Sequence, residues 1–270
     1  MRWNDLDLTV AGGDESMTWM PFYDFGARNG YRFGNRSLVD GTVMMLTDPF
    51  HDIHLGVTAE NVATKYDVSR QEQDEFAVES QRRAATPEAQ AAFAQEIVPV
   101  EVGGRRPFVA DRDEHPKPGT TLETLANLRP AFSTDGSVTA GNASGNNDGG
   151  AAVVLARESA AAERGLTSLV SIEAVATAAM EPELMGYAPV LALNALFEKT
   201  GTSPSDIDTI ELNEAFAMQP SRSSATQSWT RRRSRTAAPS PWATRLAQPA
   251  RSCRCASPRT SSGATSSSAS

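Results

Sequence analysis

Residues 139–155 begin with Thr139-Ala-Gly-Asn-Ala-Ser-Gly145 and end with Ala151-Ala-Val-Val-Leu155. The first part is rich in small and turn-forming residues, whereas the second is a continuous apolar run typical of a buried strand. Downstream, helices and strands are predicted in alternation: a helix over 158–164, a strand over 169–176, a helix over 189–199 and a strand over 207–212. This alternation predicts an α/β core whose strands are buried.

The segment before this core has a different character. Leu6–Ala11 is apolar and predicts a short buried strand that enters a turn at Gly12-Gly13. Residues 16–146 are predicted to be mainly loop and helix, and Ser69 and Glu72 form a capping box where one helix starts. The other helices are predicted over 58–66, from Thr86-Pro87 onward and over 121–128. We therefore expect a helical and loop insertion that splits the α/β core.

Charge and cysteine content divide the chain near residue 219. The 270 residues carry a net charge of −8, yet residues 220–270 hold nine arginines and no Asp, Glu or Lys. Residues 1–219 therefore carry a net charge of −17. Both cysteines, Cys253 and Cys255, lie in the basic tail, so neither a disulfide framework nor a cysteine metal site is predicted. No apolar run approaches a membrane span and no signal-peptide core is evident, so we expect a soluble cytoplasmic protein.

Four motifs follow one another along the chain: His54-Leu-Gly-Val-Thr-Ala-Glu-Asn-Val-Ala63, Leu128-Arg-Pro-Ala-Phe132, Thr139-Ala-Gly-Asn-Ala-Ser-Gly145 and Asn213-Glu-Ala-Phe-Ala217. In this order and with these gaps, they resemble the middle of the thiolase family, in its acetyl-CoA acetyltransferase branch. The resemblance covers roughly four-fifths of the chain. Residues 31–41 and 46–50 are more similar to the short-chain acetoacetyl-CoA thiolases than to the long-chain ones.

The resemblance implies a layered α/β fold of two similar halves, with a loop domain in the first half that covers coenzyme A. On this chain, residues 1–13 resemble the end of the first half, and residues 14–146 resemble the loop domain. Residues 147–219 resemble the end of the first half and the start of the second. The predicted fold is therefore an incomplete thiolase-like layered fold with an inserted helical and loop domain, followed by a disordered tail over 220–270.

The chemistry that the resemblance implies is the condensation of two acetyl-CoA molecules to acetoacetyl-CoA and CoA, or the thiolytic reverse. A cysteine nucleophile, an activating histidine, a second cysteine that moves the α-proton, and two oxyanion holes carry this reaction. In the family the nucleophile precedes the segment that is Gly12–Met17 here, and the histidine lies in a Gly-His-Pro turn after Asn213. Neither is found in this sequence, and Cys253 and Cys255 lack the second cysteine's context. The chain is therefore expected to be truncated and catalytically inactive.

Residues that face the substrate in the family have counterparts here. Asn213 matches the residue that holds the water of one oxyanion hole, although an Asn at a strand end can also cap the next helix. Ser144 matches the serine that hydrogen-bonds the pantetheine, with an ordinary turn serine as the alternative. The other matched positions line the CoA channel or lie near the CoA phosphates: His54, Leu55, Lys117, Thr124, Ala140, Ala215 and Phe216.

Three of these positions are open to a second interpretation or depart from the family. His54 can equally be a structural histidine, and Leu55 replaces a family Met. Lys117 replaces an Arg, so it keeps the charge but loses the bidentate fork, and an exposed loop lysine is the alternative. The resemblance implies acyl-CoA substrates, no other cofactor, no metal, and a homo-oligomer for the completed protein.

The basic tail is explained by the reading frame. When the codons of Thr236–Ala250 are read one base out of frame, they can encode Gly-Gly-Ala-Ile-Ala-Leu-Gly-His-Pro, which thiolases carry downstream of Asn-Glu-Ala-Phe. Trp242 has a single codon and fixes one of these glycines. We therefore expect residues 220–270 to be frameshifted, and we expect neither a nucleic-acid partner nor a membrane partner.

Two functions stay open for the chain as it stands. One is a catalytically inactive fragment of a thiolase-family acyltransferase. The other is a non-catalytic module that binds CoA or pairs with a full-length homologue. Apolar segments without a partner, such as Ala151–Leu155, would make either one prone to aggregation.

Overall fold

The structure, a computed structural model, describes residues 6–221. Its strands are β1 (Leu8–Ser16), β2 (Phe22–Tyr23), β3 (Val39–Asp40), β4 (Thr47–Asp48), β5 (Ile53–His54), β6 (Val100–Val102), β7 (Phe108–Ala110) and β8 (Asp148–Ala156). Its α-helices are α1 (Gly41–Met45), α2 (Leu55–Lys65), α3 (Arg70–Ala84), α4 (Pro87–Glu96), α5 (Leu122–Ala126), α6 (Glu158–Glu163), α7 (Ala188–Thr200) and α8 (Met218–Ser221). Short 3-10 helices occupy residues 17–19, 27–29, 182–187 and 204–206. The tail predicted over 220–270, with Cys253 and Cys255, lies outside the described residues apart from its first two positions.

Most predicted helices begin within a residue of their predicted start, because their start signals are local, but α2 begins three residues early, at Leu55. Ser69 caps α3 and Glu72 returns the bond to the Ser69 backbone, which completes the capping box. Thr86 caps α4, and Pro87 is its first residue. Thr121 caps α5, and Gly165 follows α6 with a φ of 63°. The predicted helices over 58–66, 121–128, 158–164 and 189–199 are confirmed as α2, α5, α6 and α7 with shifted ends.

The turn predicted at Gly12-Gly13 is wrong, because both glycines lie inside β1. β1 and β8 form an antiparallel ribbon in which Gly12 pairs with Ala152. A Cβ on Gly12 would lie 2.6 Å from the Ala151 carbonyl oxygen, so glycine allows this close approach. The expected burial of the apolar run is also wrong within the described residues, since Val154 is 66% exposed.

The strands predicted over 169–176 and 207–212 do not form. Every sheet in the described part of the chain has two strands, and neither segment has a neighbouring strand there to complete a ladder. Apolar patterning alone does not make a strand, because the backbone N–H and C=O groups need partners. Residues 207–212 are nonetheless partly in the core, since Ile207 and Ile210 are buried against Phe197 of α7.

The main core joins three parts of the chain. Buried residues of α2, its following turn, the 129–143 loop and α8 pack into one cluster: Ala59, Val62, Ala63, Val68, Val138 and Met218. Phe132, Ala143 and Phe216 pack against its edge. This cluster brings residues of all four sequence motifs together and so sets the position of the candidate site. No helix among residues 6–221 is long and apolar enough to cross a membrane.

Candidate functional site

The turn at residues 139–145 is held by the side chain of Asn142. Its amide oxygen accepts from the Thr139 N–H at 2.7 Å. Its amide nitrogen donates to Asp74 Oδ1 at 2.9 Å and to the Ser137 carbonyl at 3.1 Å. Asn142, Thr139 and Asp74 are all buried, and a buried polar group with all its bonds made gives a rigid, well-defined turn.

Helix α3 supplies the charge behind this turn. Arg70 Nε donates to Asp74 Oδ2 at 2.8 Å, one helical turn away. The same guanidinium donates to the carbonyls of Leu125 and Leu128, at 2.6 and 3.1 Å. α3, the end of α5 and the Asn142 turn are therefore fixed relative to one another by one network of charge-assisted bonds.

The Asn213–Ala217 segment lies against this turn. The Ser144 N–H donates to the Ala215 carbonyl at 2.9 Å, and the Ala217 N–H donates to the Asn142 carbonyl at 2.9 Å. An antiparallel bridge joins Ala143 to Phe216 between them. The structure thus brings together the predicted site residues Ser144, Ala215 and Phe216, and it places Asn213 just before the anchored stretch.

Three aromatic rings form the second part of the site. The ring of His54 stacks on Phe132 with 4.8 Å between centroids. Phe132 meets Phe216 edge-on at 6.2 Å. A Cβ on Gly56 would overlap the Phe132 ring, so the glycine makes room for this contact. Leu55, the first residue of α2, is half-buried beside His54.

His54 also has a structural role. Its Nδ1 accepts from the Gly56 N–H at 3.0 Å and so caps α2. Because Nδ1 is an acceptor, the proton of the neutral ring is on Nε2. Burial lowers the pKa of His54 below its usual value of 6.5, which favours this neutral form.

A cavity of about 290 Å³ opens on the other side of the Asn142 turn. Predicted site residues Lys117, Thr124 and Ala140 line it. Lys117 is placed by its backbone N–H, which donates to Gln81 Oε1 at 2.7 Å. The Thr124 hydroxyl donates to the Thr121 carbonyl at 2.8 Å, so it takes part in the cap of α5. The cavity is at the small end of the range for ligand sites, so it fits part of a CoA-sized molecule and not the whole.

Ionisable groups also face the cavity. His115 lines it, and its pKa is lowered, mainly by burial and then by the positive charge of Lys117. Glu214 also lines the cavity and is buried. Burial raises the pKa of Glu214 to about 7, although the Ser80 hydroxyl and Arg83 pull it down. Ser80 Oγ donates to Glu214 Oε2 at 2.6 Å.

The predicted site residues other than Asn213 fall into two groups that meet at residues 140–144. Lys117, Thr124 and Ala140 belong to the cavity. His54, Leu55, Ser144, Ala215 and Phe216 belong to the aromatic side. Sequence reasoning missed Asp74, Arg70, Ser80 and Glu214, which support both groups. The Arg70–Asp74 pair carried a signal, as opposite charges four residues apart on a predicted helix, and Glu214 lies within the Asn213–Ala217 motif.

Comparisons with known proteins agree with this architecture. Residues 1–159 match the family model described as "Thiolase, N-terminal domain", and residues 166–233 match "Thiolase, C-terminal domain". The chain is 46% identical over 218 residues to the acetyl-CoA acetyltransferase of Allochromatium vinosum, covering 80% of this chain and 55% of that protein. It is 48% identical over 217 residues to the acetyl-CoA acetyltransferase of Paracoccus denitrificans, covering the same shares. The chain therefore spans about half the length of these curated relatives.

Solved structures give the same result for the fold. The crystal structure of the Bacillus anthracis acetyl-CoA acetyltransferase matches with a TM-score of 0.76 and 42% identity, over 79% of this chain and 54% of that one. The structure of the acetyl-CoA acetyltransferase from Syntrophomonas wolfei matches with a TM-score of 0.74 and 37% identity, over the same shares. The predicted α/β layered fold, incomplete in this chain, is confirmed by these matches.

Proposed function

Because the chain belongs to the thiolase family, we propose that it carries the acyl-CoA-binding part of an acetyl-CoA C-acetyltransferase. Such an enzyme condenses two acetyl-CoA molecules to acetoacetyl-CoA and CoA, or runs the thiolytic reverse. The observation that supports this most is the backbone pairing of residues 142–144 with residues 215–217. This pairing joins the two motifs whose family counterparts face the thioester.

Each residue has a role that its position allows. Asn213 holds the water of an oxyanion hole, where a preorganised donor stabilises the negative charge that develops on the thioester oxygen. Ser144 hydrogen-bonds the pantetheine. The apolar surface of Ala215 and Phe216, with His54 and Leu55, lines the channel for the pantetheine arm.

The cavity side holds the other end of the ligand in this proposal. Lys117 gives the cavity lining a positive charge, which suits the CoA phosphates, Thr124 adds a polar CoA-loop position, and Ala140 adds apolar pocket surface. The proposal also divides the chain into domains. Residues 14–146 form the CoA-covering loop domain, and residues 1–13 and 147–219 belong to the two halves of the core. Residues 220–270 are a separate tail. A homo-oligomer of the completed protein, working in the cytoplasm, is part of the proposal.

We propose that this 270-residue chain does not catalyse the reaction by itself. The family reaction needs a cysteine thiolate that accepts the acyl group, and residues 1–219 contain no cysteine. The alternative function is a non-catalytic module that binds CoA or pairs with a homologue. The exposed apolar side chains on the β1–β8 ribbon, such as Val10 and Val154, favour pairing as part of that alternative.

The sequence of residues 220–270 has its own explanation, a shifted reading frame. We propose that a single-base shift after Gln219 separates the thiolase sequence from residues 220–270. The match with the C-terminal family model ends at residue 233, so most of the segment proposed as shifted lies beyond it. Sequencing of the gene across codons 210–250 tests this, because a restored frame has to encode Gly-His-Pro after the Asn213 motif.

Binding and turnover test the functional proposal separately. Titration calorimetry of the 270-residue chain with acetyl-CoA is expected to show saturable binding, and Ser144→Ala is expected to weaken it by about tenfold through loss of one buried hydrogen bond. An assay with acetoacetyl-CoA and CoA is expected to show no thiolysis. Absence of binding at millimolar acetyl-CoA argues against the CoA site, and measurable thiolysis argues against an inactive chain.

A further inference from the structure

Glu214 has a buried carboxyl whose pKa is strongly raised, and the proposed chemistry does not use it. It lies directly after Asn213, and its side chain is buried. Its bond to Ser80 Oγ, 2.6 Å long, spans 134 residues of sequence and joins α3 to the Asn213 segment. Such a bond between distant elements fixes their relative position.

The chain on either side of Asn213 is anchored, while Asn213 itself is not. After it, residues 215 and 217 are held by backbone bonds to residues 142–144. Before it, Ile207 and Ile210 are buried against Phe197. Within residues 6–221, Asn213 makes no hydrogen bond and is partly exposed. The position of its side-chain amide therefore depends on the position of the neighbouring residue, Glu214.

We propose that Ser80 and Glu214 are positioning residues for Asn213, and that the hydrogen bond between them sets the place of the Asn213 amide relative to α3 and the cavity. Neither residue touches the reacting atoms. We call the Ser80–Glu214 hydrogen bond the tether. The inference rests on the proposed function only for the role of Asn213, since the geometry of the tether is independent of that role.

The groups around Glu214 make this tether depend on its charge. On α3, Ser80 donates to the carboxyl and Arg83 lies close enough to stabilise its negative form. On its own segment, Glu211 opposes ionisation. His115 and Lys117 line the same cavity. An ionised carboxylate in this wall needs more donors than one hydroxyl, so it is drawn toward Arg83 or toward water in the cavity.

The Asn213 side-chain amide therefore moves when Glu214 ionises. Nuclear magnetic resonance of the 15N-labelled 270-residue chain between pH 5.5 and 8.5 tests this directly. The Asn213 amide signal is expected to show one step with a midpoint near 7. In Glu214→Gln, which keeps the size and the acceptor, the signal is expected to stay at its low-pH position. Ser80→Ala is expected to displace it at every pH.

The matched control is Glu75→Gln, an exposed carboxyl on the same helix, which is expected to leave the Asn213 signal and its step unchanged. An Asn213 signal that is identical in the parent and Ser80→Ala overturns the proposal, as does a step that persists in Glu214→Gln. If Ser80→Ala does not fold, the isosteric Glu214→Gln alone still decides between these outcomes.

Acetyl-CoA binding gives the second readout. At pH 6, Ser80→Ala is expected to weaken binding by about tenfold, and Glu214→Gln by less than about twofold. Equal binding by all three proteins, with the expected amide shifts absent, assigns the tether a purely structural role and overturns the proposal. If the parent binds no acetyl-CoA at any pH, the proposed function fails while the Asn213 signal still decides this inference.

Discussion

The side-chain amide of Asn142 donates to the Asp74 carboxylate at 2.9 Å and joins two residues that are 68 positions apart. Both side chains are buried, and the other oxygen of Asp74 is taken by Arg70. One carboxylate in α3 thus holds the turn on which the candidate site is built. The rigidity of the turn at residues 139–145 therefore depends on the contact between Asp74 and Asn142.

Asp74→Asn is expected to destabilise the protein by about 2–4 kcal/mol, because it leaves the Arg70 charge and the Asn142 amide without a matched buried partner. The measurement is the free energy of unfolding in urea. Glu75→Asn, the exposed neighbour, is the control and is expected to cost less than about 0.5 kcal/mol. Equal costs at the two positions would mean that the Asp74 contact does not hold the turn.

Glu214 is expected to make stability fall as the pH rises. Its pKa is about 7 when folded against an ordinary 4.5, so the folded state binds the extra proton between these values. The stability is fully present below pH 4.5 and is lost as the pH rises through 7. The rise in pKa corresponds to about 3 kcal/mol. Glu214→Gln is expected to remove this slope. Parallel pH profiles of unfolding free energy for the two proteins would contradict the burial of a titrating carboxyl.

Glu79 is expected to have the opposite effect on the pH dependence of stability: its contribution is lost as the pH falls. Hydrogen bonds from Arg82 and Arg83 lower its pKa to about 2, so the folded state holds the proton less tightly than the unfolded state. Its contribution is present above pH 4.5 and is lost as the pH falls toward 2. Glu79→Gln is therefore expected to flatten part of the acid limb of the stability profile, by a small amount because Glu79 and Arg82 are partly open to solvent. An unchanged acid limb would show that these ion pairs do not persist in solution.

Gly56→Ala is expected to destabilise the protein by about 1–3 kcal/mol. A Cβ there would overlap the Phe132 ring, and forcing the ring aside costs more than the gain in helix propensity. Urea unfolding measures the change. Gly103→Ala is the control, since a Cβ at Gly103 meets nothing within 4 Å. If the two substitutions have the same effect, Phe132 does not pack against α2.

Local features of this fold could be predicted from the sequence, and distant contacts could not. The capping box of Ser69 and Glu72 lies within four residues, so the start of α3 was predictable. The strands predicted over 169–176 and 207–212 fail because a strand depends on a neighbour that apolar patterning does not supply. The Ser80–Glu214 bond gave no spacing signal across 134 residues. The motif residues of the site were predictable only through the family resemblance.

Substitutions at His54 can distinguish a structural role of this residue from a role in ligand binding. Its pKa is lowered by burial, so the unfolded state takes up the proton first, and stability is present above pH 6.5 and is lost as the pH falls below it. His54→Asn keeps a capping acceptor for α2 and is expected to remove this acid sensitivity while losing about 0.5–1.5 kcal/mol of stacking on Phe132.

His54→Ala, which also loses the cap, is expected to cost about 1 kcal/mol more. Thermal unfolding at pH 5 and pH 8 measures the stability effects, and acetyl-CoA titration at pH 8 measures the binding effect. If His54→Asn binds acetyl-CoA as tightly as the parent, the imidazole is a cap and a stacking platform only. Weaker binding by a variant that is equally folded at pH 8 would mean that the imidazole ring contacts the ligand.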